Sequence, residues 1–217
     1  VDLGDGVPTV EHPYGSSDFL NNLLGGNNTF NQEYTGQRYV WQPHKSVENF
    51  FRSGGVSNTS INIRGAADDG KLSYNLNYSH LDEEGFTPGN SLRRNNLSIG
   101  GRAELSNKFT VQGSVNYSNT SFSSPPVAAS RGNADNWSTF GNVFFTPRSV
   151  DLMGLPFEIP ENGGSIYYYG SNQIINPRWS VKHSPRSQQT NRMYGRAQFD
   201  YKLSDNLNVT YRYGCLL

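Results

Sequence analysis

The sequence predicts an all-β chain that is part of a large antiparallel transmembrane β-barrel, with about six strands present and long extracellular loops. Three observations carry this. Apolar and polar residues alternate with period two through the proline-free stretches 44–87, 89–124 and 186–217. Charged residues inside the strand windows 57–66, 72–80, 95–105, 109–118, 191–203 and 207–214 fall on the polar set of positions only. The connections alternate between short turns and long segments, as outer-membrane barrels do between their periplasmic and extracellular ends.

The first strand is predicted over 57–66, with Thr59, Ile61 and Ile63 facing opposite to Ser60, Asn62 and Arg64. The second, 72–80, sets Leu72, Tyr74, Leu76 and Tyr78 against Ser73, Asn75 and Asn77. The third, 95–105, sets Leu97, Ile99, Ala103 and Leu105 against Asn96, Ser98, Arg102 and Glu104. In the fourth, 109–118, Phe109, Val111, Val115 and Tyr117 oppose Thr110, Gln112, Ser114 and Asn116. The fifth, 191–203, carries Met193, Ala197, Phe199 and Tyr201 against Arg192, Arg196, Gln198 and Asp200. The sixth, 207–214, carries Val209, Tyr211 and Tyr213 against Asn208, Thr210 and Arg212.

Short turns at 67–71, 106–108 and 204–206 join these strands in pairs, and Leu81–Arg94 and 119–188 are read as the long connections. With the short turns periplasmic, Tyr78, Tyr117 and Tyr213 mark one aromatic girdle and Phe109 and Tyr201 the other. Residues 1–55 hold no clear strand and are read as an extracellular segment with short helices near Ser17–Leu24 and Ser46–Phe51. The organisation is therefore 1–55, four strands over 56–118, a long extracellular loop over 119–188, and two further strands over 189–217. Because the smallest barrels need about eight strands, the chain is expected to be a fragment that ends mid-barrel.

Composition excludes several alternatives. Only 34% of residues are hydrophobic, but only 17% are charged and 13 Tyr, 12 Phe and 3 Trp are present, which does not fit a disordered chain. A net charge of +0 argues against a nucleic-acid binder. The single Cys215 excludes a disulfide framework and a cysteine zinc site. No apolar run approaches about 18 residues, so no transmembrane helix is expected, and no N-terminal signal segment is read; strands of modest hydropathy still permit a barrel.

The polar positions Arg64, Asn75, Asn77, Arg102, Gln112, Asn116, Arg192, Arg196 and Arg212 are read as lumen-facing. In the long loop, Trp137, Phe144, Tyr167, Tyr168 and Trp179, with Arg148, are candidates for stacking on a substrate or forming a partner interface. The plainer reading of those aromatics is a core for the loop itself. No cofactor is expected; Asp82, Glu83 and Glu84 are weighed as calcium ligands, with a solvated acidic loop as the alternative. His12, His44, His80 and His183 lack metal-ligand spacing, and no catalytic constellation stands out, so the chain is not expected to be an enzyme.

Several stretches together resemble the SusC/RagA family of TonB-dependent outer-membrane transporters. Ser46-Val47-Glu48-Asn49-Phe50-Phe51-Arg52-Ser53-Gly54 is similar to the family's Asn-Val-x-Asp-Phe-Phe-x-Thr-Gly element ahead of a barrel strand. Asp82-Glu83-Glu84-Gly85-Phe86-Thr87-Pro88-Gly89-Asn90-Ser91 resembles its (Asp/Gln)-Glu-Gly-Ile-x-Pro-Asn-Ser loop. Asn176-Pro177-Arg178-Trp179, Asn191–Gly195, Leu203–Leu207 and Tyr211–Gly214 follow in the family's order, so the resemblance covers about residues 40–214. It departs at Cys215-Leu216-Leu217, where the family continues with an acidic residue.

The resemblance implies a bacterial outer-membrane location and a barrel of about 22 strands around a plug. It also implies uptake of oligosaccharides or oligopeptides, a SusD-like lipoprotein lid, and energy coupling to TonB through a plug lying outside these residues. A passive porin-type barrel and a soluble β-rich binding or adhesion module remain the other readings of the same residues.

Overall fold

A computed structural model describes residues 6–15, 33–67, 69–126, 138–168 and 175–216. The chain divides into two compact units. One comprises residues 1–53, 85–90 and 124–186; the other comprises 54–84, 91–123 and 187–217.

The second unit is a six-stranded antiparallel sheet in simple sequence order. Its strands are β3 (Gly55–Ala66), β4 (Leu72–Glu84), β5 (Ser91–Ser106), β6 (Phe109–Ser124), β7 (Arg186–Ser204) and β8 (Leu207–Leu216). All six expected strands are present, and most run further than the alternation indicated. The clearest difference is at Leu81–Arg94: Leu81–Glu84 and Ser91–Arg94 pair with each other, and only residues 85–90 form a loop. Likewise β6 continues to Ser124 and β7 begins at Arg186, so the long connection is 125–185. In these extensions charge enters the apolar face at Asp82, Glu84 and Arg93 while Leu81, Leu92 and Phe122 fall on the other, so the contrast between faces is lost while the backbone ladder continues.

The turns follow local chemistry. Between β3 and β4, Gly70 takes φ +69°, and its N–H donates to the Ala67 carbonyl at 2.8 Å. The Asp69 carboxylate accepts from the Lys71 N–H at 3.0 Å. The hairpins at 107–108 and 205–206 each carry a register shift, at Glu104/Ser106 and at Lys202/Ser204. Such bulges raise local twist beside a tight turn.

Register fixes which side chains share a face. Ile63 pairs with Leu76, Leu76 with Ile99, and Ile99 with Val115. One step along, Ile61, Tyr78, Leu97 and Tyr117 pair in series. On the last two strands Ala197 meets Tyr213, Phe199 meets Tyr211 and Tyr201 meets Val209. A slip of one residue in any pair would mix the two faces.

The first unit is built from separated stretches of chain. It contains β1 (Thr9–Glu11) paired with β2 (Arg38–Val40), α1 (Ser46–Phe50), α2 (Thr139–Phe145) and α3 (Pro177–His183). The small sheet corrects the expectation that 1–55 lacks strands; three-residue strands are too short to show a period. Ser138 caps α2 by accepting from the Gly141 N–H at 2.9 Å. Asn176 caps α3 by accepting from the Arg178 N–H at 2.9 Å, with Pro177 at the first helical position. The helix expected near Ser17–Leu24 lies outside the described residues.

Two hydrophobic clusters form this unit's core. Tyr14 packs with Val150, Leu155, Ile159 and Ile166, and Phe50 packs with Val143, Leu152 and Tyr167. Each draws on both the N-terminal stretch and the 138–168 stretch. The segments read separately as 1–55 and 119–188 thus contribute to one unit. Ser46 stitches them further: its hydroxyl donates to the Val150 carbonyl at 2.8 Å and accepts from the Leu152 N–H at 3.2 Å.

Candidate binding faces

The sheet presents two chemically opposite faces. On the apolar face Ile61, Ile63, Ile99 and Tyr211 are 56%, 49%, 51% and 62% exposed, so no described part of the chain covers them. The charged residues on this face within the strands, Asp82, Glu84 and Arg93, lie at the end nearest loop 85–90. Below them the face is free of charge to the turns. At the boundary, the Tyr78 hydroxyl donates to Asn95 Oδ1 at 3.0 Å and the Tyr117 hydroxyl donates to Asn191 Oδ1 at 3.0 Å. Each tyrosine thus keeps its ring with the apolar residues and its hydroxyl with the polar rim. Near the opposite end, the Phe109 and Tyr201 rings meet at 6.3 Å. Tyr74 folds its ring over Gly65, a position where any side chain would collide with it.

The other face holds every residue read as lumen-facing. Register places Arg64 opposite Asn75, Arg102 opposite Gln112, and Asn77 and Asn116 on either side of Ser98. A trough of about 590 Å³ is lined by Asn75, Arg102, Gln112, Asn116 and Arg196 among others. A second, of about 480 Å³, is lined by Arg94, Asn96, Ser118, Thr120, Thr190, Arg192 and Tyr194. Tyr194 lines both.

Polar side chains knit this face across the strands. Asn96 donates through Nδ2 to Ser79 Oγ at 3.1 Å and accepts from Ser118 Oγ at 2.7 Å. Arg102 pairs with Glu104 at 2.7 Å. Asp200 accepts from Gln198 at 2.9 Å and from Thr210 at 2.7 Å, while Arg212 donates to Gln198 Oε1 at 2.8 Å. Sequence reading placed Glu104 and Gln198 on the same face as Arg102 and Arg212 but did not count these acceptors among the candidate residues. It also missed Arg94, because position 94 was assigned to a loop.

The acidic triplet is not a loop cluster. Asp82, Glu83 and Glu84 are consecutive on β4, so their side chains alternate in direction, and Asp82 pairs with Arg93 at 3.4 Å. Alternation prevents three neighbours on a strand from converging on one calcium ion.

The loop candidates separate into different roles. Trp137 lies outside the described residues. Tyr167 is buried, with its hydroxyl 2.6 Å from Thr146 Oγ1 and donating to the Asn142 carbonyl at 2.8 Å. Burial pushes the Tyr167 phenol well above its ordinary range. Tyr168 is half-buried, stacked edge-on against Tyr167 at 4.6 Å and donating to the Phe145 carbonyl at 3.0 Å. Trp179 donates from Nε1 to the Gly163 carbonyl at 2.8 Å and lies 4.8 Å from the His183 ring. These three belong to the packing of the unit, in line with the plainer reading. Arg148 and Phe144 are exposed.

The residue that organises this region is Arg178. Its Nη1 donates to the carbonyls of Leu152, Met153 and Leu155 at 3.2, 2.9 and 2.8 Å, and its guanidinium lies 4.3 Å over the Phe157 ring. Nearby, Lys182 and His183 both meet Glu158, holding its carboxyl below the usual range. On the same unit, Phe51 stacks on Phe140 at 5.5 Å and meets Phe86 at 5.6 Å and Phe144 at 5.9 Å. Phe86 and Phe144 are 53% and 62% exposed, which leaves an aromatic patch open to solvent.

No protein-family model and no curated protein matches the chain. Among the described residues no group of three or more metal-ligating side chains comes together, and no helix is long and apolar enough to cross a membrane.

Proposed function

We propose that the chain forms part of the wall of a bacterial outer-membrane β-barrel that imports nutrients. The observation that carries this is the apolar face. It spans six neighbouring strands, and its large side chains are about half exposed, leaving on the order of 1,000 Å² of contiguous apolar surface. Soluble monomers rarely expose more than about 300–600 Å² in one patch. On β7 the apolar row runs from Met193 to Leu203. Ten residue steps of about 3.4 Å, tilted by about 40°, give a height of about 26 Å, close to the apolar band of such barrels. The tyrosine hydroxyls turned to a polar rim suit the boundary between acyl chains and headgroups.

The polar face then lines an aqueous lumen. The SusC/RagA-like stretches favour an energised importer of oligosaccharides or oligopeptides, working with a SusD-like lipoprotein and with TonB through a plug domain, over a passive porin. They also favour a transport role over an enzymatic one. Fractionating cells that express the full-length gene tests the reading. Expected results are recovery in the outer membrane, a gel mobility that changes on boiling, and co-purification of a lipoprotein. Recovery in the soluble fraction would refute the membrane assignment and leave the soluble binding module. Outer-membrane recovery with substrate uptake unaffected by loss of TonB would leave the passive barrel.

A further inference from the structure

Charge is divided unequally between the faces of the sheet. On β5, β6 and β7 the polar face carries Arg94, Arg102, Arg186, Arg192 and Arg196, with Lys202 near the turn paired to Asp205, against Glu104 and Asp200; β4 adds Glu83 at its far end. Glu104 is engaged by Arg102, and Asp200 by Gln198 and Thr210. Among the described residues Arg94 donates to a neutral hydroxyl, Thr120 Oγ1, at 3.3 Å. Arg192 and Arg196 make no ion pair among the described residues. The whole chain nevertheless has a net charge of +0, so the excess of cations is local to this face.

We propose that this face holds an anionic, polyhydroxylated ligand, an acidic oligosaccharide in chemical class, at a subsite centred on Arg94, Arg192 and Arg196. The three guanidinium groups border troughs that share Tyr194, so a ring face can stack on the phenol between the cations. Around them Asn96, Ser118, Thr120 and Thr190 offer hydroxyls and amides to sugar hydroxyls. From Arg94 to Arg102 is eight steps along β5, about 27 Å, room for an extended chain of several rings. Guanidinium groups bind carboxylates through two parallel N–H bonds, and a wall of one sign concentrates ligands of the other. The proposal deepens the importer reading by naming the charge of its cargo, and it rests on that reading for the statement that the ligand is transported.

Binding of trigalacturonate and of maltotriose, which match in ring count and differ in charge, tests it on the full-length protein purified in detergent. Trigalacturonate is expected to bind at least tenfold more tightly at 50 mM NaCl, with the advantage shrinking at 300 mM. The double variant R192Q/R196Q is expected to lose about tenfold for trigalacturonate and little for maltotriose. The charge-preserving R192K/R196K is expected to recover most of that loss, which separates a charge effect from a folding defect. Equal binding of the two sugars, binding of neither, or a preference indifferent to the glutamines would overturn the proposal. Boiling-dependent gel mobility, read on the same samples, reports on the barrel assignment separately. The polar face exists whether or not the sheet lies in a membrane, so the binding result stands in either case.

Discussion

Replacing Leu76 by Arg tests the face assignment at its most demanding point. Leu76 lies mid-band, between Ile63 and Ile99 on the neighbouring strands. The nearest polar residue on its own strand and face is His80, four steps away, about 14 Å along the strand and about 10 Å in height at a 40° tilt. An extended arginine side chain reaches about 6–7 Å, so its guanidinium cannot snorkel out of the apolar band. The expected cost is about 2–4 kcal/mol, the range for a cation near the middle of a barrel's lipid face. That is about a 30- to 700-fold shift toward the unfolded state. Asn77→Arg is the control: it is adjacent in sequence, faces the other way, and its partners Asn62 and Ser98 are uncharged. Urea titration of the full-length protein in lipid vesicles, followed by boiling-dependent gel mobility, measures both. Equal stability of the two variants, or a larger loss in Asn77→Arg, would refute the assignment of faces.

Three further outcomes are expected. Arg178→Ala strips three carbonyls of one charged donor and should destabilise the first unit by about 2–4 kcal/mol, read as faster proteolysis within 138–168. His12 is buried, stacks on Tyr34 at 4.4 Å and accepts the Tyr14 N–H on Nδ1, so burial lowers its pKa from 6.5. Stability linked to it is complete above pH 6.5 and is lost as pH falls from there toward the folded value, because the unfolded chain takes up the proton first. Proteolysis of the N-terminal stretch should therefore quicken on mild acidification, and His12→Gln should flatten that profile; an unchanged profile in the variant would assign the effect elsewhere. A polypeptide of residues 1–217 refolded alone in detergent should aggregate, since β3 and β8 each have a strand partner on one side only among the described residues. A compact monomer with a cooperative melt would contradict the membrane reading.

The six long strands were legible because one face excludes charge, and a period of two is visible wherever that exclusion operates. It stops being visible above His80 and Asn95, where Asp82 and Arg93 put charge on the apolar face and Leu81 and Leu92 put apolar side chains on the other, while backbone pairing continues the ladder. That is why Arg94 was read as loop and left out of the candidate site. In the first unit, the aromatic residues were conspicuous but their burial was not. On α2 the buried residues are Thr139 and Val143, four apart on one helical face, while Phe144 and Phe145 point outward. Tyr167 is buried because Val143, Leu152 and Phe50 meet it from distant parts of the chain. Such long-range packing leaves no local pattern to read. Arg178 was visible in the sequence within Asn176-Pro177-Arg178-Trp179, but its structural role was not, since its three acceptors are backbone carbonyls.

The discontinuous make-up of the first unit has a kinetic consequence. Hairpins such as β3–β4 and β5–β6 close short loops and can form early. The contact between Ser46 and Val150 spans 104 positions, and that between Tyr14 and Pro156 spans 142. Such late, non-local closures are slow. Until residues 138–168 are present, Tyr14 and Phe50 have no core to enter, and the N-terminal stretch waits as exposed chain while the strands between are made. On the proposed outer-membrane reading, its protection during synthesis and export falls to whatever holds such chains unfolded, and a protease present in that interval would cut there first.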